Sequence, residues 1–146
     1  MKTILINQKS GENKEYSNLS IAEFLFKNLD QFGDKQEYIL KAMEYAMNPA
    51  KGGFILVGTD ANEIVGAVVI NKTGMDGYIP SNILVYIAVR SDQRGKGVGK
   101  KLMQEAMANT TGGVALHVEP DNPAKKLYEK LGFTNKYLEM RYQPSN

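Results

Sequence analysis

Val89-Arg90-Ser91-Asp92-Gln93-Arg94-Gly95-Lys96-Gly97-Val98-Gly99-Lys100 is the stretch on which the fold of this chain turns. Before it, Ile83 to Val89 is aliphatic on both alternations, the pattern of a strand buried on both faces. After it, Val98, Leu102, Met103 and Ala106 recur at helical spacing and predict a helix from about Gly97 to Ala108. Between the two stand Gly95, Gly97 and Gly99, spaced by two. The first amides of a helix have no internal partner. Glycine lets a ligand approach the backbone closely, and the helix dipole favours negative charge at that end. Such a turn suits a phosphate or pyrophosphate, and Arg94, Lys96 and Lys100 add positive charge. The same glycines also suit a tight turn that needs only positive φ, and both readings stand at this point. Two phosphate motifs are excluded by counting. Arg94 stands where a Walker loop needs its first glycine, and Lys101 where it needs Ser or Thr. Lys100 stands where a dinucleotide fingerprint needs its third glycine.

Working toward the C-terminus, Gly112-Gly113 separates this helix from a strand predicted over Val114 to Val118. Asn122 is an N-cap candidate, Pro123 suits a first helical position, and Gly132 suits a left-handed C-terminal cap. Ala124, Leu127, Tyr128 and Leu131 fall on one face between them. Phe133 onward and Tyr137 to Tyr142 read as two closing strands. Toward the N-terminus, Phe54 to Gly58 and Ile64 to Ile70 read as a hairpin across Thr59 to Asn62. A first helix begins near Ser20, a second is capped by Asp34, and Thr3 to Asn7 reads as a first strand. This order argues for a mixed α/β sheet with helices on its faces.

The 146 residues show no repeat or linker and are expected to form one domain, 1–146. No cysteine is present, which removes disulfides, thiolate metal sites and a cysteine nucleophile. The apolar run Met1 to Ile6 is short for a secretory signal, and no stretch approaches the ~20 apolar residues of a membrane helix. A cytoplasmic protein with no membrane partner is expected. The net charge of +2 says little about nucleic acid. Arg90, Arg94, Lys96, Lys100 and Lys101 cluster locally with only Asp92 among them, either as an anion site or as a solvated basic face. No basic stripe or aromatic stacking pattern points to nucleic acid, and none is expected as a partner.

Arg94-Gly95-Lys96-Gly97-Val98-Gly99, following Ile87-Ala88-Val89, resembles the acyl-CoA-binding motif of the GNAT superfamily of N-acetyltransferases. Asn122-Pro123-Ala124 with Leu127-Tyr128-Glu129-Lys130-Leu131-Gly132-Phe133 looks like that family's second motif. The resemblance runs closely from Ile83 to Phe133. It implies the acyl-CoA N-acyltransferase fold, an α/β (α+β) arrangement with a mixed, mostly antiparallel sheet of about six to seven strands and helices on both faces. It implies acetyl-CoA, or another acyl-CoA, as co-substrate, an amine as acceptor and no metal. The backbone of Ile87, Ala88 and Val89 would pair with the pantetheine arm. The turn Arg94, Gly95, Lys96, Gly97, Val98, Gly99, with Lys100, would cradle the pyrophosphate. Asn122 would contact the pantetheine, and the Tyr128 phenol would protonate the departing thiolate. The purely structural alternatives are a buried tyrosine with a satisfied hydroxyl and an asparagine that only caps its helix. Glu119 is the preferred base, ahead of His117, which is expected within its strand, and of Tyr86 and Asp76. A water chain is the alternative to any of them. Analogy adds a homodimer through the final strands or a helix face. A coenzyme A sensor without catalysis is the competing reading.

Overall fold

The hairpin expected over residues 54–70 is the backbone of the sheet. A computed structural model of the chain describes residues 1–145. Strand β2 (Gly53–Asp60) turns through Ala61 and Asn62 into β3 (Glu63–Lys72). Both turn residues have positive φ, +50° and +63°. That is the backbone of a two-residue hairpin loop whose twist matches the strands. Strand β1 (Lys2–Ile6) pairs antiparallel with β2, and β4 (Asn82–Val89) pairs antiparallel with β3. Strand β5 (Val114–Leu116) runs parallel to β4, so the order is β1-β2-β3-β4-β5.

Helices α1 (Asn18–Asn28) and α2 (Gln36–Met47) cover one face. Ile21, Ala22 and Leu25 of α1 and Ile39, Met43 and Ala46 of α2 share a core with Ile55, Val57, Ala67, Val69 and Ala88 of the sheet. Full burial of each large aliphatic residue contributes roughly 1.5–3 kcal/mol. Ser17 caps α1, its hydroxyl accepting from the Ser20 amide at 3.2 Å. Asp34 does not cap α2 as expected. Lys35 occupies that place, and the Asp34 carboxylate accepts from the Tyr86 hydroxyl instead.

Helix α3 (Val98–Ala108) covers the other face. Its seat is a notch made by Gly58 and Gly66, which oppose each other across β2 and β3. A Cβ at Gly66 would stand 2.5 Å from Leu102 Cδ1, and one at Gly58 would stand 3.3 Å from Leu102 Cδ2. The two glycines therefore admit Leu102, which is fully buried. Thr3 Oγ1 donates to Glu105 Oε1 at 2.8 Å and ties α3 to β1 as well. This seating fixes where the helix begins, at the end of β4.

The chain divides into two compact units, Met1–Leu116 and the segment from His117 onward. The first holds the five-stranded sheet and α1 to α3, and the second holds α4 (Ala124–Lys130). The expectation of six to seven strands is corrected to five among the described residues. Strand β5 stops at Leu116 rather than Val118, and residues 133–145 form no strand. A strand exists only as a member of a ladder. The apolar alternation of Leu138, Met140 and Tyr142 is instead left 84–89% exposed. No helix among the described residues is long and apolar enough to cross a membrane.

Candidate functional site

The site begins where β4 loses a neighbour. Val69 opposes Tyr86 while Ile70 opposes Leu84, so Val85 is an extra residue in β4, a bulge. Strand β5 pairs with Asn82, Ile83 and Leu84 and goes no further. Beyond the bulge, β4 has a ladder only on the β3 side among the described residues. The Arg90 amide donates to Val65 O at 2.9 Å, which fixes the phase of that ladder. Alternate residues point their backbone groups to opposite edges. Ala88 therefore faces β3, while Ile87 and Val89 face the open edge. Of the three residues expected along the pantetheine arm, Ile87 presents free backbone, Val89 a free amide with its carbonyl taken by Arg94 Nε, and Ala88 contributes a buried side chain.

After a short 3-10 turn at Ser91–Gln93 the chain enters the glycine turn. Gly95 and Gly97 have φ of +79° and +81°, a region that costs L side chains about 1–2 kcal/mol. No atom lies within 4 Å of a Cβ placed at either, so they are not glycines for internal packing. The first backbone bond of α3 is Lys101 N to Gly97 O at 3.1 Å. The amides of Gly95, Lys96, Gly97, Val98, Gly99 and Lys100 have no partner among the described residues. These consecutive donors at a helix N-terminus form an anion cradle.

The basic cluster divides. Arg90 is paired with Glu63 at 2.8 Å and Asp92 at 2.6 Å. The Arg90 hydrogen bond holds the Asp92 carboxyl below its ordinary range. Arg94 donates through Nε to Val89 O at 3.0 Å and through Nη2 to Asn28 O at 2.9 Å, and pairs with Asp30 at 3.1 Å. Lys96, Lys100 and Lys101 have no carboxylate at ion-pair distance among the described residues. All three are exposed, and Lys96 and Lys100 are the two that stand within the run of bare amides.

On the opposite face of β4, the Tyr86 hydroxyl donates to Asp34 Oδ2 at 2.9 Å. Burial, and then this carboxylate, push the phenol well above its ordinary pKa. Sequence reasoning missed this pair and the Arg94 fork, because both join residues more than fifty positions apart. Asp76, a weaker base candidate, accepts from Ser81 Oγ at 3.2 Å in the loop after β3.

The second unit carries the remaining candidates. Asn122 Oδ1 accepts from the Ala124 amide at 2.9 Å, and Pro123 adopts helical φ of −62°. Asn122 thus opens α4 in the manner of a cap. Tyr128 is buried, and desolvation pushes its phenol up to about 12. Gly132, at φ +97°, ends the helix. Glu119 is exposed, and its carbonyl accepts from the Asn122 amide at 3.0 Å. His117 lies past the end of β5 and is exposed, so its expected place within the strand is corrected.

Residues 51–135 match the sequence family described as acetyltransferase (GNAT) domain. The chain is 32% identical over 103 residues to a protein of Pseudomonas phage PaMx11 named 5-NmdU N-acetyltransferase, covering 69% of each. In structure it resembles the aminoglycoside N-acetyltransferase AAC(6')-Iy in complex with CoA, at 17% identity and a TM-score of 0.69 over 99% of this chain and 95% of that one. It also resembles a ribosomal-protein-alanine N-acetyltransferase from Brucella melitensis biovar Abortus 2308, at 16% identity and a TM-score of 0.65 over the whole of both chains.

Proposed function

The chain belongs to the GNAT acetyltransferase family, and from that premise we propose that it moves an acetyl group from acetyl-CoA to a primary amine of a small molecule or peptide, by direct attack in a ternary complex. One observation carries the cofactor side of this reading: the run of unpartnered amides from Gly95 to Lys100, at the end of a strand with an open edge. Those amides, with Lys96 and Lys100, would hold the pyrophosphate, and Ile87 and Val89 would pair with the pantetheine arm. Bound acetyl-CoA supplies an activated acyl group on a thiol leaving group.

The chain's own residues then have two tasks. The Val89 amide would donate to the thioester oxygen as negative charge develops there. The Tyr128 phenol would hold a proton for the departing sulfur, since expelling a bare thiolate into a dry site is costly. With its pKa at about 12, this phenol stays protonated at neutral pH. Asn122 would contact the pantetheine while opening α4. Glu119 is the preferred carboxylate for taking the proton of the amine. Holding both substrates in attack geometry supplies much of the acceleration. One catalytic domain spanning 1–146, at work in the cytoplasm, completes the proposal.

The test is thiol release from acetyl-CoA against a panel of spermidine, an aminoglycoside, an N-terminal peptide amine and 5-NmdU, the acceptor in the name of the phage relative. Release with one of them supports the reading. Tight CoA binding with no release across the panel would turn it toward a silent coenzyme A sensor.

A further inference from the structure

Arg94 opens the glycine turn, yet its amide and two of its three guanidinium nitrogens are engaged by the protein itself. Its amide donates to Ser91 O at 3.3 Å. Its guanidinium meets three protein oxygens: Val89 O at 3.0 Å, Asn28 O at 2.9 Å and Asp30 Oδ2 at 3.1 Å. Two of these belong to the end of α1 and the short connection to α2. An exposed ion pair alone adds little. A planar fork meeting two carbonyls and a carboxylate is different, because it fixes orientation as well as distance.

That connection has a second anchor. Tyr86 of β4 donates to Asp34 at 2.9 Å. Asp30 itself is held at φ +54°, a strained conformation for a residue with a side chain. The segment from Asn28 to Asp34 is therefore pinned at both ends, to the start of the glycine turn by Arg94 and to β4 by Tyr86. With Phe26 and Lys35 it lines, through Asp30, Gly33 and Asp34, a shallow, open depression of about 420 Å³.

We infer that Arg94 is a positioning residue for the amine side of the reaction: its guanidinium braces the α1–α2 connection, and so the depression it lines, against the turn that holds the diphosphate. The diphosphate itself is held by the amides of Gly95 to Lys100 and by Lys96 and Lys100. The arginine at the head of the motif thus links the two substrate sites instead of serving one. The inference rests on the acetyl-transfer reading for the identity of the substrates.

The test compares wild type with Arg94→Ala, Arg94→Lys and Asp30→Asn by amide hydrogen exchange, CoA calorimetry and steady-state kinetics with the panel amine that turns over. Leu29, Phe32 and Gly33 have bonded amides and report the connection directly. In Arg94→Ala their exchange should quicken by about tenfold, the scale of one lost hydrogen bond. CoA affinity should stay within about threefold, while KM for the amine rises by about tenfold, more than kcat changes. Asp30→Asn, which leaves the glycine turn intact, should shift the same quantities in the same direction. Arg94→Lys keeps the charge but not the fork, and should stay impaired for the amine. Loss of CoA affinity by more than about tenfold in Arg94→Ala, with Leu29, Phe32 and Gly33 exchanging as in wild type, would overturn the inference. A wild-type protein that binds no CoA would sink the acetyl-transfer reading, while the exchange data still decide whether the brace exists.

Discussion

The Phe133 amide donates to the Tyr128 carbonyl at 3.0 Å, and the two rings lie 6.0 Å apart with a tilt of 57°. The Gly132 amide donates to Glu129 O at 3.1 Å between them. This is a Schellman end, in which a left-handed glycine lets the chain fold back and the flanking apolar pair close over it. The motif that stops α4 thus also packs the Tyr128 ring. The proposed proton donor and the end of its helix therefore depend on the same few residues.

Replacing Tyr128 with Phe keeps that packing and removes the proton. We expect kcat to fall by about 10²-fold or more, the range of general acid catalysis. CoA affinity should change by no more than about threefold, because ring and helix end are preserved. Steady-state kinetics beside calorimetry check both. Equal turnover would remove Tyr128 from the mechanism.

The same phenol gives a pH signature. Burial pushes its pKa up to about 12, from an ordinary value near 10. The folded state therefore resists ionisation more than the unfolded state. Its contribution to stability is full below pH 10 and is lost as the pH rises through 12. Wild type should lose stability relative to Tyr128→Phe across that window, by on the order of 2–3 kcal/mol. Denaturant unfolding at pH 8 to 12 measures it. Below pH 10 this residue should cause no descending limb in kcat.

Gly66 should not tolerate a methyl group. A Cβ there would meet Leu102 Cδ1 at 2.5 Å and Ala88 O at 3.3 Å. Gly66→Ala should cost about 1–3 kcal/mol by overpacking and lower the melting temperature. Adding Leu102→Ala should relieve part of that clash, so the double variant will be less destabilised than the sum. Strict additivity would show that α3 is not seated in the notch.

Gly97 behaves oppositely. Nothing stands within 4 Å of the position its methyl group would take, so Gly97→Ala loses only the left-handed backbone preference, about 1–2 kcal/mol. CoA affinity should fall much further, by more than about tenfold, because the methyl group occupies the approach to the amides. Calorimetry with CoA and a thermal melt separate the two effects. A loss in stability without a loss in affinity would mean that the turn is glycine-rich for conformation alone.

Much of this was legible in the sequence because it is local. The strand–glycine–helix order, the hairpin, Ser20 near the start of α1 and the Asn122, Pro123 and Gly132 signals all act within a few residues. Asp34 misled because a carboxylate before a helix is a cap only if nothing better is offered, and Tyr86 offered it a phenol. The Arg94 contacts were out of reach of a local reading in the same way, since two of its acceptors come from Asn28 and Asp30. The Leu138, Met140 and Tyr142 alternation shows the limit of periodicity: it names a face but not a partner. Gly58 and Gly66 read as ordinary strand residues until Leu102 is set between them.

The central claim is that the bare amides between Gly95 and Lys100 grip the diphosphate of coenzyme A. Titrating ¹⁵N-labelled protein with CoA and following each backbone amide tests it most directly. The account expects the largest shifts at Gly95 to Lys100, joined by Ile87 and Val89 on the open edge of β4. Saturable binding of CoA that leaves those resonances in place would contradict it.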